Sequence, residues 1–187
     1  MGHIGNTIDD HLQTWLAQQR LFFVATAPLS GDGLINVSPK GLDTFRVLDP
    51  QTVAYLDLTG SGIETVAQVK ENGRIVLMFC ALEGPPKIVR LYGRGEVVEP
   101  GQPEFQPLLS QFPEQLGTRS IIRVALTRVA DSCGFGVPLF SFQGERTALG
   151  DWARKIGPEA IAGYQQKKNA HSLDGLPGLV FGQNELV

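Results

Sequence analysis

Arg74-Ile-Val-Leu-Met-Phe-Cys80, the turn Glu83-Gly-Pro-Pro86, and Lys87-Ile-Val-Arg-Leu-Tyr-Gly-Arg-Gly-Glu-Val-Val98 follow one another near the middle of the chain. The first run is apolar and rich in β-branched and aromatic residues, which suit a half-buried strand. The second alternates, with Ile88, Arg90, Tyr92, Arg94 and Glu96 on one face. Val89, Leu91, Gly93, Gly95 and Val97 lie on the other, which reads as the core side. A Pro-Pro turn joins the two runs directly and leaves no room for a crossover helix, so they form an antiparallel pair.

This pair decides against a competing fold. Upstream, Gly60-Ser-Gly62-Ile-Glu-Thr65 nearly spells a dinucleotide-binding fingerprint, with Glu83 18 residues beyond Thr65. The third glycine is missing, however, and a parallel sheet would need a second crossover helix where the Pro-Pro turn stands.

Outward from the pair, other strands are expected at Leu21–Ala27, Leu34–Ser38, Phe45–Leu48, Thr52–Leu58 and Arg119–Val129. Ser30-Gly-Asp-Gly33 reads as a hairpin turn. Helices are expected from a capping box at Thr7–Asp10 to about Arg20, and from a second box at Ser61–Glu64 to Asn72. A short helix near Glu104–Gln111 and one over Asp151–Lys168 complete the set. Six or seven strands at such short spacing predict a mainly antiparallel sheet, closed or nearly so, with peripheral helices.

Composition agrees with one domain over residues 1–187. The chain is 42% hydrophobic and 19% charged, unlike a disordered chain. Its 22 glycines and 12 prolines favour many tight turns over long helices. A net charge of −3 gives no general reason to bind nucleic acid. No run is apolar enough for a membrane span or leader, and a cytoplasmic location is expected. Cys80 and Cys133 are expected to be buried free thiols, and His3, His11 and His171 have no metal-ligand spacing.

Two segments carry candidate chemistry. In Tyr55-Leu-Asp-Leu-Thr-Gly-Ser-Gly-Ile-Glu-Thr65 a strand enters a glycine-rich turn and then a helix, whose free amides suit an anion. Ser61 and Thr65 add hydroxyls, while Glu64 would repel a dianion lying close. Simple helix capping explains the same residues. In Asn36-Val-Ser-Pro-Lys-Gly41, Pro39 reads as the end of a strand and Lys40 as a mobile point charge suited to phosphate, or as an exposed loop lysine. Arg90 and Arg94 share a strand face that would meet a phosphate or solvent.

Taken in order, Phe23-Val-Ala-Thr26, Asn36–Gly41, Phe45–Asp49, Tyr55–Gly60, Asn72–Phe79, Arg90–Gly95 and Cys133-Gly-Phe-Gly-Val-Pro138 resemble the pyridoxamine 5′-phosphate oxidase-related, FMN-binding split-barrel family. The resemblance implies a six-stranded antiparallel split β-barrel of Greek-key type, and a homodimer with FMN at the subunit interface. It places Ser38, Pro39, Lys40 and Gly41 beside the cofactor. Asp57, Leu58, Thr59, Gly60 and Ser61 fall where relatives hold the ribityl-phosphate end, with Arg90 flanking and Trp152 reaching in from the partner. The family's Ser-Arg-Lys phosphate cluster is replaced here by Gly60-Ser61-Gly62, and its C-terminal Arg-x-His stretch has no clear counterpart in residues 149–187. The implied activity is therefore a flavin-dependent oxidoreduction of an unidentified small molecule, not oxidation of pyridoxamine phosphate. The alternatives on the same barrel are a non-catalytic flavin or haem module, whose haem would need His171, and a deazaflavin-dependent reductase.

Overall fold

The computed structural model describes residues 4–181. In chain order these form β1 (Ile4–Gly5), α1 (Asp10–Ala17), β2 (Phe22–Thr26), β3 (Asn36–Lys40), β4 (Phe45–Asp49) and β5 (Thr52–Leu58). Then come α2 (Glu64–Asn72), β6 (Arg74–Cys80), β7 (Ile88–Val98), α3 (Phe105–Leu109), β8 (Thr118–Ser132) and α4 (Ala148–Lys168). The described residues thus give an 8-stranded sheet where six strands were expected. One added strand is β1, a short ribbon that pairs Ile4 with Ala130 at the far end of β8.

Strand order is β3-β2-β6-β7-β8-β5-β4, and every pairing is antiparallel. The two outer strands, β3 and β4, are joined by residues 41–44 alone, so the sheet must curl until its edges nearly meet. Leu42 and Asp43 take left-handed backbone conformations (φ 63° and 54°) to make that link. The lumen confirms the curl. Phe22 and Phe79, from one side of the sheet, meet Phe45 and Tyr55 from the other, with ring centroids 4.9–5.6 Å apart. The result is a barrel closed by packing and split along the β3/β4 seam.

β8 is long because it serves two neighbours. It pairs with β7 from Ile121 to Ser132 and with β5 from Thr118 to Ala125. A bulge at Thr127 bends β8 opposite Tyr92 and Gly93, and a Cβ on Gly93 would collide with the Ala125 carbonyl oxygen. Outside the barrel, Ala54, Leu56, Val98 and Ile121 form a second cluster with Phe105 of α3 and Phe112.

Neither expected capping box forms. α1 starts at Asp10 because Asp9 is its N-cap, its side chain accepting from the Leu12 amide at 2.7 Å. α2 starts at Glu64, after Ile63, with no side-chain cap at all. Its other end is as read: Gly73, at φ 68°, closes the helix with its amide on Val69 O. Gly157, at φ 77°, breaks α4 before Pro158. Cys80 is half-buried and Cys133 exposed, against the expected burial of both, because Cys133 lies beyond the end of β8.

The lumen contains one hydroxyl without a protein partner. Tyr55 is fully buried, and its Oη has no hydrogen bond among the described residues. Burial and the nearby Asp57 carboxylate push its pKa well up, so it stays a neutral phenol. A buried unsatisfied hydroxyl costs stability. Tyr55→Phe is therefore expected to stabilise the protein by about 1 kcal/mol in urea titrations. A loss of stability would contradict that assignment.

Candidate functional site

The seam positions the candidate residues. In the β2–β3 ladder Asn36, Ser38 and Lys40 lie opposite Thr26, Val24 and Phe22, whose side chains are buried in the interior. All three polar side chains therefore point to the inner side of an edge strand. Val37 and Pro39 point outward. Pro39 does not end the strand, as the sequence had suggested. It sits within β3 and pairs with Phe23, which an edge strand permits because the missing amide interrupts no second ladder.

Across the seam, β5 turns Val53, Tyr55 and Asp57 inward. Asp57 is fully buried. Lys40 Nζ lies 3.1 Å from its Oδ1, Arg119 Nε donates to its Oδ2 at 2.7 Å, and Ser120 Oγ donates at 3.3 Å. Burial alone would raise the Asp57 pKa, but the charges and hydrogen bonds of Lys40 and Arg119 together hold it below its ordinary value. Arg119 also donates through Nη1 to the carbonyls of Gly62 (2.8 Å) and Gly60 (3.4 Å). One buried carboxylate thus anchors a lysine from β3, an arginine from β8 and the turn that leads into α2.

A separate polar chain joins β3 to α2. Asn36 Nδ2 donates to Thr65 Oγ1 at 2.8 Å and to Thr26 Oγ1 at 3.2 Å, while Ser38 Oγ donates to Asn36 Oδ1. Thr26 in turn donates to the buried Gln68 of α2. The edge strand is in this way pinned to the helix by side chains. The chain's own tail closes the other side of the turn. Gln165 Nε2 donates to Thr59 Oγ1 (2.7 Å), and Asn169 Nδ2 to Gly60 O (3.0 Å). Beyond α4, the amide of Leu173 donates to Glu64 Oε1 at 3.3 Å.

Of the residues expected from the sequence, Lys40, Asp57 and Gly60 share one hydrogen-bonded cluster through Arg119, Ser38 and Thr65 share a second through Asn36, and Thr59 is held by Gln165. Pro39 and Gly41 flank Lys40, Leu58 lies beside Asp57, and Ser61 is exposed at the turn. Arg90 lies elsewhere. It projects from the outer face of the sheet, where its Nη1 donates to Ser132 Oγ at 3.2 Å. Trp152 packs edge-on against Tyr164 of its own helix, with centroids 5.3 Å apart. Arg119, Ser120, Gln165 and Asn169 were not singled out from the sequence. The signal for Arg119 was Asp57 itself, since an acid in an otherwise apolar strand demands a cation.

A cavity of about 1370 Å³ is separate from this cluster. Trp15, Phe23, Cys80, Lys87 and Phe142 are among its walls, and none of the expected site residues lines it. Among the described residues no group of three or more His, Cys, Asp or Glu side chains is arranged to hold a metal ion. No helix there is long and apolar enough to cross a membrane. His171 is exposed in the tail, paired through its backbone with Pro177.

Comparison with known proteins gives three results. The family model described as Pyridoxamine 5′-phosphate oxidase matches residues 8–133. The pyridoxamine 5′-phosphate oxidase family protein ustO of Aspergillus flavus is 40% identical over 190 residues, spanning 92% of this chain and 76% of that one. Among solved structures, HupZ of Group A Streptococcus, in a single-residue variant, superposes with a TM-score of 0.52 at 22% identity, covering 67% of this chain and 99% of its own. A Lactobacillus delbrueckii protein described as a pyridoxamine 5′-phosphate oxidase gives 0.52 at 23% identity, covering 67% and 94%. At those identities the structural likeness is one of fold.

Proposed function

Because the chain belongs to the pyridoxamine 5′-phosphate oxidase family, we propose that it is a flavin-binding oxidoreductase acting on a small molecule, with the cofactor held beside the β3/β4 seam, where Lys40 of β3 meets Asp57 of β5. The observation that carries this reading is a pair of polar clusters beside the seam, Lys40 with Gly60 through Asp57 and Arg119, and Ser38 with Thr65 through Asn36. A bound flavin would supply hydride or single-electron exchange, while the protein supplies position and electrostatics.

The donor set suits the uncharged part of that cofactor. Hydroxyls of Ser38, Ser61 and Thr65 suit a hydroxylated chain, and Lys40, with 19% of its side chain exposed, gives the rim a positive charge. FMN is the form that the sequence resemblance implies, but its phosphate dianion does not fit the turn before α2 as it stands. Asp57 takes no part as an acid or base, because both of its oxygens are engaged and burial keeps water from it.

A homodimer is part of the proposal. Val37, Ala25, Val76 and Tyr92 are register neighbours across β3, β2, β6 and β7, on the outer face of the sheet. Val37 is 61% exposed and Tyr92 38%, and Pro39 and Met78 extend the same apolar surface. A row of this kind on four adjacent strands calls for a covering surface, and a second copy of the chain supplies one.

The test is a flavin titration of the purified chain followed by absorbance, with molar mass measured by ultracentrifugation. One flavin per chain at a two-chain mass is expected. A colourless protein whose spectrum and melting temperature ignore added flavin would refute the reading.

A further inference from the structure

We propose that Glu64 is an internal anion that fills the phosphate end of the site, so that the protein selects an unphosphorylated flavin over FMN. The inference rests on the flavin reading above and concerns which form of the cofactor enters.

Glu64 is the first residue of α2, and its carboxylate folds back across the turn. A Cβ placed on Gly62 would collide with Glu64 Oε2, so the side chain occupies the space that the glycine leaves. The amide of Leu173 fixes the other carboxylate oxygen at 3.3 Å. A carboxylate at this point is favoured by the positive end of the helix, and α2 has no side-chain cap hydrogen bond. The helix end that would attract a phosphate therefore already carries a charge of the same sign.

The remaining charges do not compensate. Lys40 and Arg119 are the cations that touch the turn or its support, and both are engaged by the buried Asp57. Arg119 is also turned toward the carbonyls of Gly60 and Gly62. With Asp57 and Glu64 counted, two cations face two carboxylates, and a dianion would enter a neighbourhood with no surplus positive charge.

A second, independent feature points to a ligand that donates hydrogen bonds. Asn169 is fully buried beside Gly60, and its Oδ1 has no partner among the described residues. An orphaned acceptor is matched by a hydroxyl and repelled by a phosphate oxygen. The ribityl chain of riboflavin offers hydroxyls and no charge.

The experiment titrates the 187-residue chain with riboflavin and with FMN, reading quenching of flavin fluorescence, in wild type, Glu64→Gln and Glu64→Ala. Melting temperatures serve as folding controls. Wild type is expected to bind riboflavin about tenfold more tightly than FMN, and Glu64→Gln to erase that ratio through a gain in FMN affinity. Glu64→Ala should shift the ratio in the same direction. A wild-type preference for FMN, or a ratio unchanged in both variants, overturns the inference and leaves the flavin reading intact. Failure of both flavins to bind overturns the two together.

Discussion

Asp57→Asn will destabilise the protein by about 3–5 kcal/mol, because it leaves two cations in the seam without their counter-ion. The site favours a large effect. Asp57 is fully buried, Arg119 is only 5% exposed, and the carboxylate receives donors from β3 and β8 at once. Asparagine preserves the shape but loses the charge, and its amide group presents donors to a lysine and an arginine that have only donors themselves. Urea unfolding of the two proteins at neutral pH measures the difference. Lys40→Met should cost much less, since Arg119 still neutralises Asp57 and Lys40 is partly solvated.

The same pair of cations sets an acid limit. The folded-state pKa of Asp57 is lowered, so its contribution to stability is complete above the range of an unfolded carboxylate, about pH 4. That contribution is lost as pH falls through the lowered folded-state value. Asp57→Asn should accordingly flatten the acid side of the stability profile. A variant with the wild-type acid dependence would show that other carboxylates govern it.

Phe79→Ala is expected to be comparably damaging, at about 3–5 kcal/mol. Phe79 is 1% exposed and touches both sides of the curled sheet, stacking on Phe22 at 5.2 Å and meeting Phe45 edge-on at 4.9 Å. No hydrogen-bond ladder joins β3 to β4, so these rings are a large part of what holds the barrel shut. Removing the ring leaves a cavity where the two halves meet. Phe79→Leu, which keeps much of the volume, should retain most of the stability. Equal losses from the two variants would assign the effect to aromatic geometry rather than to filling.

Alternation and turn chemistry made most strands legible. Thr52–Leu58 and Arg74–Cys80 have the expected bounds, and Val89 and Leu91 face the core as read. Helix starts were less legible. The box at Ser61–Glu64 has the right residue types, yet the Glu64 side chain turns toward Gly62 and the tail instead of back to Ser61. That preference depends on Leu173, which is remote in the chain, and no local pattern contains it. At the site, Lys40 and Asp57 could be named from their segments, but their contact follows only once the barrel curls. Arg119, Gln165 and Asn169 needed the same three-dimensional information, because none lies in a motif with a chemistry of its own. Arg90 shows the converse: strand periodicity put it on a face correctly, and that face is the outer one.

The strand order also has a consequence for how the chain reaches this state. The pairs β2–β3, β4–β5 and β6–β7 join consecutive strands and can zip soon after each second strand appears. β5 is different, since its second neighbour is β8, where Thr52 lies opposite Ala125. Pairings so distant in sequence slow the folding search, because loop-closure entropy is spent before the contacts form. On a ribosome, β5 must wait with one edge bare until β8 has emerged. Asp57 waits with it, a carboxylate whose arginine has not yet been made.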